Sequence, residues 1–219
     1  MNIGAIFDWD GVVIDSSTAH EQSWERLSEE ENLPLFEGHF KAGFGRKNAI
    51  IIPTILKWTE EPTEIKRLSN RKEALYREII KEDGIDALPG IHDLLTFLNQ
   101  KGIPCVVGTS TDRINVETIM DALGVRVFFQ DIVSSEDVSH GKPDPEVFLK
   151  AAGKIDRAPE RCLVFEDAHY GIEAGLRGGM KVVGVATTHP IEDLHQADMA
   201  VHRLNELDFE KMLEMFNAS

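Results

Sequence analysis

Asp8 and Asp10 stand two positions apart after the apolar run IGAIF (residues 3–7), and Gly11 follows them. Carboxylates at the carboxyl end of a strand lie where open α/β sheets bind ligands. The glycine lets the chain depart sharply enough for both acids to face one cleft. A second acidic pair, Glu166-Asp167, follows the apolar run CLVF (162–165) in the same way. Four carboxylates gathered at one sheet edge repel one another, so the arrangement predicts a divalent cation. Oxygen ligands favour Mg2+ over zinc, and the chain has neither HExxH nor a paired-cysteine motif. An EF-hand fails because Val12 and Val13 occupy positions that need a ligand and a glycine. Mg2+ usually takes one or two protein carboxylates plus substrate phosphate, which directs the reading to phosphoryl chemistry.

Phosphoryl chemistry needs positive charge and hydrogen-bond donors. Lys142 lies in His140-Gly141-Lys142-Pro143-Asp144-Pro145, where Asp144 can cap a helix and Pro145 fits its first position. This is not a P-loop, since Glu136 stands five residues before Gly141 and no glycine-rich loop precedes it. The run PCVVG (104–108) delivers Thr109-Ser110, whose hydroxyl and backbone N–H suit a phosphate oxygen, and Thr111-Asp112 then supply a helix cap.

The elements that must position these groups are legible as alternation. Short apolar runs at 3–7, 104–108, 162–165, 181–186 and, more weakly, 198–201 are separated by helical patterns. That spacing predicts βαβ units and an α/β fold with a mostly parallel, doubly covered sheet. The patterns IHDLLTFLNQKG and INVETIMDALG end at Gly102 and Gly124, each a plausible helix C-cap. Residues 16–88 hold no convincing strand and read as an all-helical insertion, leaving 1–15 and 89–219 as the core. Trp24 and Trp58 are expected in the core of that insertion, and Trp9 is expected to point back into the fold.

Composition sets the outer bounds. The 219 residues exceed the common domain size of about 150, which fits one large domain or a domain carrying an insertion. With 23 Lys and Arg against 38 Asp and Glu, the formal charge of -15 repels nucleic acid and anionic lipid. The early apolar run is cut by Asp8 before it could form a signal peptide, and no stretch approaches the ~18 apolar residues of a membrane span. The expectation is a cytoplasmic monomer that meets neither membrane nor nucleic acid. Cys105 and Cys162 each sit in an apolar run and read as buried thiols.

In order, DWDGVVIDS, GTSTD, GKPDP and VFEDAHYGIEAG resemble the four motifs of the haloacid dehalogenase (HAD) superfamily. The resemblance covers Ile3 to about Val201 and lies with the phosphatase and β-phosphoglucomutase-like members, whose helical cap is inserted after the first strand. It implies a HAD-like, Rossmann-like doubly wound core with an all-helical cap. It makes Asp8 the nucleophile that forms an aspartyl phosphate and Asp10 the general acid and base. Mg2+ would be held by the Asp8 carboxylate, the Asp10 carbonyl, Asp167, and Glu166 directly or through water. Thr109, the Ser110 amide and Lys142 would bind the phosphoryl group, with Gly11 beside it. In the cap, His20, Arg46 and Lys72 match positions near the acid or a distal part of the substrate, although each is equally readable as an ordinary helix residue.

The implied activity is a Mg2+-dependent phosphatase acting on a small phosphorylated metabolite such as a sugar phosphate. A β-phosphoglucomutase-like phosphomutase is the alternative. Ser16 stands where those mutases usually have Thr, and Asp112-Arg113 where they carry Lys-Asn, which favours hydrolysis. A phospho-acceptor signalling domain or a non-catalytic binding protein is a remoter reading, disfavoured by the insertion and by Asp10 two residues after the nucleophile.

Overall fold

A computed structural model describes residues 2–43 and 46–216. Along the chain, β1 (Gly4–Phe7) is followed by α1 (Ser17–Glu31), α2 (His39–Gly43), α3 (Asn48–Ile50) and α4 (Pro62–Asp83). Then come α5 (Ile91–Gln100), β2 (Cys105–Gly108), α6 (Arg113–Leu123), β3 (Phe129–Val133), α7 (Glu146–Lys154) and β4 (Cys162–Glu166). The order closes with α8 (His169–Arg177), β5 (Lys181–Val185), β6 (Met199–Val201) and α9 (Phe209–Glu214). Two compact units result, one of residues up to Asp15 together with those from Ile85 onward, the other of Ser16–Gly84. The sequence placed residues 85–88 with the insertion. The structure groups them with the sheet, where the Leu88 N–H donates to the Val13 carbonyl and Ala87 bridges Ile14.

The sheet is parallel throughout, in the order β3-β2-β1-β4-β5-β6. Both faces are covered: Ala5 and Ile6, successive residues pointing opposite ways, are equally buried. Ile6, Val106, Val164 and Val182 pack in one apolar cluster with Val147 and Phe148 of α7 and Ile172 of α8. The order reverses direction at β1 and β4, the switch point at which such sheets hold ligands.

One strand escaped the sequence reading. β3 is an edge strand in which Gln130 is exposed and Asp131 half-buried, so its apolar run is broken where a central strand's would continue. Both glycine stops hold, since Gly102 and Gly124 take positive φ just past α5 and α6. Asp112 precedes α6 but does not cap it through its side chain. Its carboxylate instead accepts from Ser135, and Glu136 accepts from the Arg113 N–H. Asp144 accepts from the Glu146 N–H, but Pro145 rather than Asp144 holds the N-cap position of α7, one residue later than expected.

Within Ser16–Gly84, α1 packs along α4 around Trp24, Leu27, Leu68 and Leu75, with Trp58 against Trp24. Paired acids and arginines join the same two helices outside this core, as in Arg71 with Glu30 and Arg67 with Glu31. Trp9 is fully buried against Phe129, as expected. Cys105 and Cys162 are buried free thiols, raised by burial to about 12 and about 11.

Candidate active site

Strand register assembles the acids. Phe7 of β1 pairs with Phe165 of β4 and with Val107 of β2, so Asp8, Glu166 and Gly108 arrive at one level. The Asp8 N–H continues the ladder to the Phe165 carbonyl at 3.0 Å. The chain then turns back, with the Val13 N–H on the Trp9 carbonyl at 2.9 Å, and Gly11 takes φ +79. A Cβ on Gly11 would lie 2.0 Å from Asp167 Oδ2, so both the turn and the close approach require glycine. A Cβ on Gly171, in the first turn of α8, would lie 1.6 Å from Glu166 Oε1.

Asp8, Glu166 and Asp167 are all buried, and one carboxylate oxygen from each lies within 4.8 Å of the others. Lys142 Nζ reaches Asp8 Oδ2 at 2.9 Å and Glu166 Oε1 at 2.7 Å, over the Phe148 ring. Asp8 Oδ1 accepts from the Trp9 N–H and Glu166 Oε2 from the Ala168 N–H, both at 2.8 Å. One ammonium thus faces three carboxylates. Burial works against the Lys142 charge, yet Asp8 and Glu166 outweigh it and hold its pKa above the ordinary lysine value. Burial lifts Glu166 well above the carboxylate range, aided by Asp8 and Asp167 and opposed by Lys142. Burial and the Asp8 charge push Asp167 up to about 7, against a hydrogen bond from Thr188. Hard oxygen donors, buried together and short of positive charge, fit a divalent cation such as Mg2+.

Around this group, Asp10 is half-buried and its carboxylate accepts from the Thr111 hydroxyl. Thr109 is buried at the end of β2, its N–H on the Val133 carbonyl and its hydroxyl accepting from the Thr111 N–H. Ser110 beside it is exposed.

In the other unit, Lys72 is buried and its Nζ lies 2.6 Å from His20 Nδ1 and 2.9 Å from Glu73 Oε1, while His20 stacks on Tyr76. Burial, then the Lys72 charge, pushes His20 down to about 3 despite Glu73, so its neutral ring accepts from the ammonium. Arg46 is exposed and is not drawn into this cluster.

Sequence reasoning missed Thr111, Thr188 and His189 as neighbours of the acids. Thr188 Oγ1 donates to Asp167 Oδ2, and His189 Nδ1 lies on Thr188 and the Asp167 carbonyl. The signal was present in VVGVATTHP, because β5 ends at the same sheet edge as β1 and β4. No helix among the described residues is long and apolar enough to cross a membrane.

Residues 4–179 match the family described as hydrolase, haloacid dehalogenase-like hydrolase. The chain is 39% identical over 210 residues to the chloroplastic 5-amino-6-(5-phospho-D-ribitylamino)uracil phosphatase of Arabidopsis thaliana. That alignment spans 94% of this chain but only 55% of the plant protein. It is 31% identical to hexitol phosphatase A of Escherichia coli, covering 95% of this chain and 94% of the relative. Among solved structures, β-phosphoglucomutase from Clostridium difficile superposes with a TM-score of 0.85 at 28% identity, covering 99% of this chain and 98% of that one. With its motifs, its sheet order and its buried acids in agreement, the chain belongs to the haloacid dehalogenase-like hydrolases, as an enzyme of their capped phosphatase and β-phosphoglucomutase-like branch.

Proposed function

We propose that this protein is a Mg2+-dependent phosphatase of a small phosphorylated metabolite, with a sugar or sugar-alcohol phosphate as the preferred class. The observation that carries the reading is the buried group of Asp8, Glu166 and Asp167 with Lys142 bound to two of them. Asp8, Glu166, Asp167 and the Asp10 carbonyl would hold Mg2+, which would supply charge neutralisation for the phosphoryl oxygens.

The rest belongs to the chain's own residues. An Asp8 carboxylate oxygen attacks phosphorus, forming the aspartyl phosphate as the bond to the leaving oxygen breaks. Asp10, kept in place by Thr111, gives its proton to that leaving oxygen. It then takes a proton from the water that opens the aspartyl phosphate and regenerates Asp8. Lys142, the Thr109 hydroxyl and the Ser110 N–H hold the phosphoryl oxygens, and Gly11 keeps the chain close beside them. By resemblance, His20, Arg46 and Lys72 are assigned to the remoter part of the substrate.

The phosphomutase reading is supported by the likeness to β-phosphoglucomutase. Hydrolysis is favoured by likeness to phosphatases such as the two relatives named above and by Arg113, whose guanidinium is committed to the Ile132 carbonyl and Asp137. The deciding experiment supplies hexose, pentose and hexitol monophosphates with Mg2+ and measures free phosphate alongside sugar isomers. Stoichiometric phosphate with dephosphorylated product is expected. Isomerised sugar phosphate without phosphate release would make the protein a mutase.

A further inference from the structure

We propose that Thr188 is a positioning residue for the Asp167 carboxylate and that His189 fixes the direction in which the Thr188 hydroxyl donates. The inference rests on the metal-site reading above and extends it to two residues outside the four motifs.

The protons available decide which way each of these bonds runs. Thr188 Oγ1 lies 2.5 Å from Asp167 Oδ2, 3.2 Å from the Asp167 carbonyl oxygen and 2.9 Å from His189 Nδ1. A hydroxyl has one proton to give and two lone pairs to receive with. His189 Nδ1 also lies 3.2 Å from the Asp167 carbonyl, and a carbonyl oxygen only accepts. In the tautomer with the proton on Nδ1, the one that suits both contacts, His189 donates to the carbonyl and to Thr188 Oγ1. With the imidazole acting as donor, the Thr188 proton is committed to the Asp167 carboxylate. The His189 ring is itself packed edge to face on His169, 4.6 Å between centroids.

The same Oδ2 also lies close to Gly11, where a Cβ would fall 2.0 Å from it. The hydroxyl and the close backbone together restrain the carboxylate's rotation, and so the angle at which it would meet a cation. Partners of this kind orient metal ligands, and their loss typically weakens metal affinity 10–100-fold.

The test titrates Mg2+ alone into the substrate-free protein by calorimetry, comparing wild type with Thr188→Val, Thr188→Ser and His189→Phe, and follows folding by thermal melting. Thr188→Val keeps the shape and removes the donor, and should bind Mg2+ about 10-fold more weakly. Thr188→Ser restores the donor and should return affinity close to wild type, while His189→Phe should fall between. Wild-type affinity in folded Thr188→Val, or equal losses in the Val and Ser variants, would overturn the proposal while leaving the metal site standing. A wild-type protein that takes up no Mg2+ would overturn the metal site and this proposal together.

Discussion

The charge imbalance between Lys142 and the acids it faces decides how each responds to change. Lys142→Met should remove the only cation that the described residues place on Asp8 and Glu166. Breaking a buried pair by deleting one partner typically costs 3–5 kcal/mol, because the surviving charge is left uncompensated. Urea unfolding without metal should show a loss of about that size, and saturating Mg2+ should return part of it. An unchanged midpoint would mean the acids do not need the ammonium. Asp167 sets the pH response. Its carboxyl is raised from 3.8 to about 7 in the fold, so between those values the folded protein holds a proton that the unfolded chain has released. Metal-free stability therefore receives a falling contribution from Asp167 as pH rises from about 4 to 7. Binding a cation requires that proton to leave, so Mg2+ affinity should weaken as pH falls from 8 to 6. Calorimetry at several pH values would check this, and a flat profile would contradict the assignment.

At the scale of elements, β1, β4 and α8 do the positioning, and two glycines record how closely they meet. Gly171→Ala on α8 would bring a Cβ within 1.6 Å of Glu166 Oε1, so the helix or the carboxylate must move. Alanine suits a helix better than glycine, so the secondary structure should persist while Mg2+ affinity and turnover fall. Circular dichroism beside metal titration separates those effects. Unchanged binding would show that α8 has slack against β4. Central strands and their acidic ends were legible because burial on both faces forces continuous apolar runs that stop abruptly, as CLVF stops at Glu166. β3 was not, because an edge strand tolerates Gln130 and Asp131. Thr188 was missed for another reason: a hydroxyl in a loop has no periodicity, and only its distance to Asp167 reveals its role.

Across the whole molecule, the four motifs lie in the unit that carries the sheet, apart from Ser16 at the edge of the other, so the sequence specifies the two units unequally. Asp8, Thr109 and the Glu166-Asp167 pair are separated by long stretches of chain, and the parallel register returns them to one sheet edge, where Lys142 meets Asp8 and Glu166. The Ser16–Gly84 unit was legible as helical but not in detail, since the pairing of Lys72 with His20 and Glu73 depends on how α1 lies along α4. A net charge of -15 gives the molecule no general attraction for anionic substrates, so under the proposed function the burden of phosphate binding would fall on Lys142 and the cation. The central claim is that Asp8 is the nucleophile, and it is tested most directly by Mg2+-dependent phosphate release from a hexitol phosphate by wild type and by Asp8→Asn. Release by the wild type that vanishes without Mg2+ is expected, and none above background from a folded Asp8→Asn protein. Turnover retained by Asp8→Asn would contradict it.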